Sequence, residues 1–289
     1  MPVIEPAIRP PAEAESFLLQ VTLGCSANRC TFCGAYRGKP FRIKAAAEIS
    51  ADIQRAAMLA PDTRRVFLMD GDALAVPNPR LLPVLQELQR SFPRLARISS
   101  YANGYNINSR SAAELRELSA NRLSLIYLGL ESGSQLVLER CRKGSGVADM
   151  IRAVRDAAQA GIKSSVMVLL GLGGRKYSRL HVAETVRALN EMQPRYLSFL
   201  AVMLLPGTPL FDEAARGEFT ALSARETLEE MCGLIAGLEL RQTIFRSDHA
   251  SNFLPLEGRF PADKERLLRT VAAALNGALA LKPDDLRDL

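Results

Sequence analysis

The segment Gly24–Gly34 reads GCSANRCTFCG and places three of the five cysteines of this 289-residue chain within nine residues. They are Cys25, Cys30 and Cys33. In a reducing compartment an odd, clustered set of cysteines indicates a metal centre or catalysis rather than disulfides. A tetrahedral zinc site needs a fourth ligand, and both other thiols and both histidines lie far along the chain. Three local thiolates therefore favour an iron–sulfur cluster with one open iron; zinc with a distant fourth ligand is the alternative.

The sequence around this loop predicts alternating strands and helices. An apolar run at residues 17–24 leads into the cysteines and is typical of a strand. Further strands are predicted at residues 65–70, 96–101, 124–130, 163–170 and 196–205, and helices at residues 46–60, 79–91, 111–121, 147–160 and 179–192. Six strand-then-helix units predict a parallel sheet.

Clusters of polar residues and glycines directly follow the predicted strands. They are Gly24–Cys33, Asp70–Asp72, Ser99–Asn103, Glu131–Gly133, Gly171–Gly174 and Pro206–Thr208. In barrel folds the loops at the carboxyl ends of the strands build one shared site. This placement favours a curved sheet over an open, doubly wound one. We therefore predict an α/β fold, a partial (β/α)6 TIM-type barrel with a mostly helical C-terminal extension.

The chain is predicted to have three parts: an N-terminal lead-in at residues 1–16, the partial barrel at residues 17–210, and a helical segment at residues 211–289. Helical patterning covers residues 223–240 and 261–281 in the last part. The connector between them contains Arg246, His249 and Asn252. We expect this connector to close the open side of the barrel, with these three side chains facing the substrate or lying at the surface.

The composition is that of an ordinary globular protein, at 48% hydrophobic and 24% charged residues. It excludes a disordered chain, collagen and a disulfide-rich miniprotein. The longest apolar stretches, Val166–Leu172 and Phe199–Leu205, are shorter than the roughly 18 to 20 residues that span a bilayer. The N-terminal residues show no secretory signal pattern. We expect a cytoplasmic protein without a membrane partner.

The formal net charge of +6 is modest, but it includes a local basic window without an acidic residue. The window contains Arg29, Arg37, Lys39, Arg42 and Lys44. It is either a solvated basic loop or part of a site for an anionic substrate or cofactor. An aromatic-rich binding motif does not accompany the charge, so nucleic acid is not the expected partner. Arg37 and Lys39, just beyond the cysteine loop, are the candidates for substrate contact.

Taken together, these motifs resemble the radical S-adenosylmethionine (SAM) enzymes. The similarity lies in the three-cysteine loop after the first strand, with Phe32 directly before the last cysteine, and in Asp70–Asp72, where the family often has Gly-Gly-Glu. It extends to YLGLESGS, LLGLGG and LLPGTPLF after the fourth, fifth and sixth strands. It covers about residues 17–211 and is nearest to the branch with oxygen-independent coproporphyrinogen dehydrogenases and methylthiotransferases.

Two positions depart from the family pattern. Four residues separate Cys25 from Cys30, whereas the family usually has three, so the motif here is Cys-x4-Cys-x2-Cys. Coproporphyrinogen dehydrogenases carry a further cysteine where this chain has Ala35. The first departure bulges the loop and leaves the second interval intact. The second departure argues against a porphyrin as the substrate.

The resemblance implies a cofactor set and residue roles. The three cysteines would hold one [4Fe–4S] cluster whose open iron binds the amino and carboxylate groups of SAM. An external one-electron donor such as flavodoxin or ferredoxin would reduce it. The remaining cofactor roles are Asp70, Gly71 and Asp72 at the methionine amino group, Glu131 at the ribose with Ser100 and Asn103 as further candidates, Lys143 at the SAM carboxylate, and Leu170 and Gly171 at the adenine. Phe32, directly before Cys33, is a further cofactor-binding candidate.

The implied function is a radical SAM enzyme that cleaves SAM to a 5′-deoxyadenosyl radical and acts on a small, anionic substrate. The alternative is a catalytically quiet cluster- or haem-binding protein of the same fold. Cys141 and Cys232 are expected to pack in the core. Two isolated thiols do not hold a second cluster, so one cluster is expected.

Overall fold

A computed structural model describes residue 4 and residues 8–288 of the chain. The remaining residues of the predicted lead-in, 1–3 and 5–7, and Leu289 lie outside the described part. The strands are β1 (Phe17–Gln20), β2 (Thr22–Leu23), β3 (Arg42–Ile43), β4 (Arg65–Met69), β5 (Arg97–Ala102), β6 (Leu123–Glu131), β7 (Lys163–Leu170), β8 (Tyr196–Ala201), β9 (Ile244–Arg246) and β10 (Glu257–Arg259). The helices are α1 (Ala46–Leu59), α2 (Asn78–Ser91), α3 (Gly104–Asn108), α4 (Ala112–Ala120), α5 (Gln135–Arg140), α6 (Val147–Gln159), α7 (Gly174–Met192), α8 (Pro209–Ala215), α9 (Ala224–Gly237) and α10 (Lys264–Leu275).

Hydrogen bonds order eight strands of the described chain as β1-β4-β5-β6-β7-β8-β9-β10, while β2 and β3 form a separate antiparallel pair. The α/β class and the mostly parallel sheet are thus confirmed. The connector after α9 differs from the expectation, because it contributes β9, parallel to β8, and β10, antiparallel to β9. It extends the sheet as well as linking two helices.

The contacts divide the chain into two compact units. The first contains residues up to 28, 35–128 and 152–164, and the second contains residues 29–34, 129–151 and those from 165 onward. The C-terminal segment from residue 211 falls within the second unit, together with earlier residues.

The first unit is built on β1, β4, β5 and most of β6, which pair in parallel. Its core strand β4 is apolar, and Val66, Phe67 and Leu68 are fully buried. Helices α1 and α2 pack on each other, and α2 contacts α4. Because parallel strands end at one edge of a sheet, the segments after β4 and β5 leave the same edge of this unit.

The lead-in is attached to this sheet by Glu13, whose side chain is fully buried. Its carboxylate accepts hydrogen bonds from Arg97 (2.8 Å), from the Tyr127 hydroxyl (2.7 Å) and from Ser16 (2.5 Å). Burial, with Glu13 as the next cause, raises the pKa of Tyr127, which therefore stays a donor. The ion pair and the hydrogen bonds compensate the cost of burying the carboxylate.

In the second unit the C-terminal segment packs through aromatic contacts. The ring of Phe245 in β9 lies 5.0 Å from that of Phe199 in β8 and 5.8 Å from that of Phe260. Helix α9 packs against α7 and α10. Edge-to-face aromatic pairs of this kind add to the apolar area that they bury. Three-residue strands such as β9 and β10 are too short for a periodic signal, which is why the sequence does not predict them.

Helix α7 begins at Gly174, five residues before its predicted start. Gly174 has a φ of +57°, and a Cβ there would lie 2.9 Å from the Phe219 ring. The polar stretch after Gly174 hides the first helical turn from a hydrophobic pattern. Helices α3, α5 and α8 were also not expected, because five to seven residues give no periodicity. Among the described helices, not one has the length and apolar character that crossing a membrane requires.

We predict that Glu13→Ala lowers the free energy of unfolding by about 3 kcal/mol, since it leaves buried donors without their acceptor. Urea unfolding of the variant measures this change. The control Glu15→Ala removes an exposed carboxylate of the same segment and should stay within about 0.5 kcal/mol of the parent. Equal effects of the two changes would show that the lead-in is not fixed by Glu13.

Candidate functional site

In the first unit, Asp70 at the end of β4 holds the start of the cysteine loop. Its carboxylate is fully buried and accepts hydrogen bonds from the Gly24 N–H (2.8 Å) and the Gln20 side chain (3.2 Å). The Gly71 N–H in turn donates to the Gly24 carbonyl (3.0 Å). The two segments are therefore tied in both directions, through a side chain and through the main chain.

Asp70 and Lys39 form a buried ion pair with each other, which the sequence analysis did not predict. The Lys39 ammonium lies 2.9 Å from the Asp70 carboxylate and donates to the Ile4 carbonyl (2.8 Å). Both side chains are buried. A buried carboxylate needs a compensating charge, and Lys39 supplies it. This geometry shows that both side chains position the loop; main-chain contact of Asp70 with SAM and substrate contact of Lys39 stay predictions.

Gly71 allows Cys25 to approach β4 closely. A Cβ at Gly71 would lie 2.4 Å from the Cβ of Cys25 and 2.9 Å from its Sγ. The preceding residue, Asp70, adopts a left-handed φ of +68°. Such a conformation is strained in a non-glycine residue and persists only where its surroundings fix it. Here the hydrogen bonds and the ion pair of the Asp70 carboxylate fix this conformation. Cys25 therefore packs against a turn that is held in place.

Asp72 keeps one carboxylate oxygen without a partner. Oδ2 accepts from Ser26 Oγ (2.5 Å) and from the side-chain amides of Asn103 and Asn106. Oδ1 is buried, and the described residues offer it no hydrogen bond. Burial raises the pKa of Asp72 to about 6, although these hydrogen bonds oppose the rise. A buried acceptor of this kind fits a cationic group of a ligand.

Asn103 and Ser100, the candidates for ribose contact, are already bonded within the first unit. Asn103 accepts from the Asn106 N–H (2.9 Å) and so caps α3, while its amide donates to Asp72. Ser100 is fully buried and donates to the Tyr101 carbonyl (2.7 Å). The structure therefore shows Asn103 supporting Asp72. Contact of Asn103 and Ser100 with the ribose stays a prediction.

In the second unit, Cys30 and Cys33 lie on a turn in which the Cys33 N–H donates to the Cys30 carbonyl (3.3 Å). Thr31 between them is held on both sides, since its N–H donates to the Cys141 carbonyl (2.9 Å) and its carbonyl accepts from the Leu210 N–H (3.1 Å). Phe32 packs against the buried group of Val137, Cys141 and Leu172. The expected apolar role of Phe32 thus has a local basis.

The thiol chemistry fits an iron–sulfur cluster, because Cys25, Cys30 and Cys33 are partly exposed on an irregular loop and none of the three is in a disulfide. Cys141 differs: it is buried, and burial raises the pKa of its thiol to about 12. Within the part of the chain that is described, no group of three His, Cys, Asp or Glu side chains is close enough to hold a metal ion. The three-cysteine ligand set therefore stays a prediction.

Glu131 and Lys143, both on the second unit, form an ion pair with 2.8 Å between Oε1 and Nζ. Glu131 ends β6 with a left-handed φ of +63°, and its side chain folds back over Gly129. A Cβ at Gly129 would lie 2.0 Å from Glu131 Oε1 and 3.0 Å from Lys143 Nζ. The glycine in the strand thus makes room for the pair. An acceptor and a cationic donor are presented side by side.

The loop after β7 is held by Glu230 from α9, a residue that the sequence analysis missed. Its carboxylate accepts from the Gly171 N–H (2.5 Å) and from the Ser178 hydroxyl. His181 places Nε2 at 3.7 Å from Glu230 and Nδ1 at 2.8 Å from the Ser132 hydroxyl. Buried contacts thus link the Gly171 loop to the segment after β6. A single His and a single Glu on helices far apart in the sequence give no motif to predict them.

Burial shifts the pKa values of this pair in opposite directions. Desolvation raises the pKa of Glu230 to about 7 and lowers that of His181 to about 4. Near pH 6 the folded protein therefore holds a protonated Glu230 beside a neutral His181, because burial disfavours both charges.

The proposed substrate residues have different settings. Arg246 is exposed in β9, and Arg37 is exposed beyond the cysteine loop. His249 Nδ1 lies 2.9 Å from the Ser251 hydroxyl, and burial lowers the pKa of His249. Asn252 is buried and donates to the Phe199 carbonyl (2.8 Å) and the Ser247 carbonyl (3.0 Å). It therefore fixes the connector, and substrate contact by these residues stays a prediction.

Comparison with known proteins assigns the chain to one protein family. Residues 19–189, more than half of the chain, match the family described as the Radical SAM superfamily. The uncharacterized protein MJ0486 of Methanocaldococcus jannaschii is 28% identical over 113 residues, which are 39% of this chain and 34% of that protein. The chain therefore matches about a third of the length of this curated relative.

Solved structures share the fold at low sequence identity. The radical SAM methyltransferase TsrM of Kitasatospora setae, with cobalamin and a [4Fe–4S] cluster bound, is 19% identical with a TM-score of 0.56, covering 70% of this chain and 39% of that chain. Coproporphyrinogen III oxidase (HemN) of Escherichia coli is 15% identical with a TM-score of 0.55, covering 76% and 51%. Methylornithine synthase (PylB) is 18% identical with a TM-score of 0.53, covering 93% and 83%.

We predict that Glu230 and His181 compensate each other's pH dependence of stability. The pKa of Glu230 is raised from 4.5 to about 7, so its contribution to the free energy of unfolding falls as pH rises through that window. The pKa of His181 is lowered from 6.5 to about 4, so its contribution falls as pH falls through that window. Between pH 4.5 and 6.5 the two slopes cancel in the parent protein.

Single variants should expose the separate slopes. Glu230→Gln should lose stability as pH falls from 6.5 to 4.5, and His181→Asn should lose it as pH rises over the same range, each relative to the parent. The slope should approach about 1.4 kcal/mol per pH unit. Urea unfolding across this range measures it. If both variants ran parallel to the parent profile, the opposed protonation states would be refuted.

Proposed function

The chain belongs to the radical SAM superfamily of enzymes, which use a [4Fe–4S] cluster and SAM, and on this premise we propose a specific function for it. It binds one cluster through Cys25, Cys30 and Cys33, cleaves SAM reductively, and acts on a small anionic molecule in the cytoplasm, where thiols stay reduced. The observation that carries this proposal is the partly exposed cysteine loop, whose first residue, Gly24, donates a hydrogen bond to the buried Asp70 carboxylate.

When bound through Cys25, Cys30 and Cys33, the cluster would supply the electron for reductive cleavage of SAM, and with it radical abstraction of hydrogen from the substrate. The chain's own residues prepare the ligands. Asp70 holds Gly24, directly before Cys25, and Gly71 leaves room for Cys25 to pack against the end of β4. The hydrogen bonds of Thr31 fix the turn that carries Cys30 and Cys33.

Three side chains are proposed for the polar groups of SAM, each on local evidence. The unpartnered oxygen of Asp72 accepts from the methionine ammonium, which replaces a missing hydrogen bond. Glu131 accepts from a ribose hydroxyl, and Lys143 donates to the SAM carboxylate. Because the pair already satisfies itself, it stays ordered without ligand. Phe32, Leu170 and Gly171 are proposed for the adenine, with Glu230 holding the Gly171 main chain.

Anaerobic reconstitution followed by SAM and dithionite tests the function. We expect methionine and 5′-deoxyadenosine in equal amounts, with iron and sulfide bound. Cys30→Ala should lose most of its iron and all product, whereas Cys232→Ala, with its thiol on α9, should keep both. A formed cluster beside intact SAM would contradict the enzyme and support the quiet binding protein. Full iron in Cys30→Ala would contradict the ligand set.

We also predict that Glu131→Ala weakens SAM binding about ten- to hundredfold, since it removes a hydrogen bond to a charged group of about 1.5 to 3 kcal/mol. Lys143→Met should weaken it similarly while preserving side-chain length. Equilibrium binding of SAM to the reconstituted protein gives both values, and iron content should not change. The control Glu139→Ala removes an exposed carboxylate of α5 and should leave SAM affinity unchanged. Unchanged SAM affinity in both variants would assign the pair to structure alone.

A further inference from the structure

A surface cavity of about 220 Å³ in the second unit reaches the cysteine loop from outside. Its lining includes Thr31 of the loop, Arg140 and Cys141 at the end of α5, and Lys176 and Tyr177 at the start of α7. Thr31 is bonded directly to Cys30 in the chain and lies two residues from Cys33. The cavity therefore lies against the buried residue between two proposed cluster ligands.

Beside this cavity, the end of α5, the turn after it and the start of α7 carry five cations that we call the basic face: Arg140, Arg142, Arg175, Lys176 and Arg179. All five are exposed. Arg140 and Lys176 lie over the Tyr177 ring, at 5.3 and 5.1 Å from its centroid. Arg175 pairs with Glu226 at 2.8 Å. Two carboxylates also line the cavity, Glu213 and Glu218, and the second pairs with Arg216 at 2.8 Å.

Apolar side chains interleave with these cations. Leu136 and Leu180 are exposed large hydrophobic residues. Each lies four positions from a cation of the basic face, Leu136 from Arg140 and Leu180 from Lys176, and so on the same side of its helix. A surface that combines arginine, an aromatic ring and exposed leucine is typical of a protein interface rather than of a small-anion site.

We propose that the basic face docks an acidic one-electron carrier protein, a flavin or iron–sulfur protein, over the Thr31 cavity. The inference rests on the proposed function, because the cluster must be reduced from outside the chain. One electron leaves the reduced carrier and enters the cluster, and no bond, proton or group is transferred. The cations steer the acidic partner, and the cavity lets it approach the loop that holds Cys30 and Cys33.

The test uses purified flavodoxin as the probe, with the reconstituted full chain. The dissociation constant should rise with salt, and the double variant Arg140→Glu with Lys176→Glu should weaken binding about tenfold or more at low salt. The matched control, Arg116→Glu with Arg269→Glu, reverses two exposed charges on α4 and α10 and should bind like the parent. The binding readout is independent of turnover.

A second readout compares two electron sources. The double variant should lose SAM cleavage driven by reduced flavodoxin but retain cleavage driven by dithionite, which also shows that it is folded. Unchanged flavodoxin binding in the double variant, or equal loss in the control, would overturn the docking face. So would failure of the parent to bind either flavodoxin or a [2Fe–2S] ferredoxin. If the parent forms no deoxyadenosine with dithionite, the proposed function itself fails, whatever the binding result.

Discussion

The carboxylate of Asp70 is buried at the end of β4 and accepts the first main-chain hydrogen bond of the cysteine loop, from Gly24. Burying a negative charge is costly unless it is paired, and the Lys39 ammonium at 2.9 Å supplies the pair. Because the carboxylate also fixes a left-handed turn at its own residue, Gly71 passes close to Cys25. The position of the first cysteine thus depends on one ion pair inside the sheet.

Acidic residues near the strand ends differ in what they leave available to a ligand. Asp70 and Glu230 are enclosed by donors and hold the segments that begin at Gly24 and Gly171. Asp72 keeps an oxygen without a partner among the described atoms. Glu131 forms an ion pair with Lys143, close to Gly129. Carboxylates whose oxygens are all bonded within the chain rigidify the loops, and those with a remaining acceptor or a cationic neighbour are suited to a cofactor. The proposed division between positioning and binding follows from their partners.

The sequence predicts the parts of this architecture that depend on repeated patterns. Apolar runs and helical periodicity predict the parallel strands and most of the long helices, and the position of each polar cluster follows from the strand before it. Asp70 and Asp72 are indistinguishable in the sequence as candidate ligands, because their difference arises from Lys39, Ser26 and Asn103, which reach them only in the fold. The contact between His181 and Glu230 arises from packing of α7 on α9, which no local pattern shows.

Electron paramagnetic resonance of the anaerobically reconstituted, reduced protein, recorded with and without SAM, tests the central claim that the Cys25–Cys33 loop holds a SAM-binding [4Fe–4S] cluster. The account predicts the signal of a reduced [4Fe–4S] cluster that changes when SAM is added, because SAM binds its open iron. The signal of a different metal centre, or a cluster signal that SAM leaves unchanged, would contradict it.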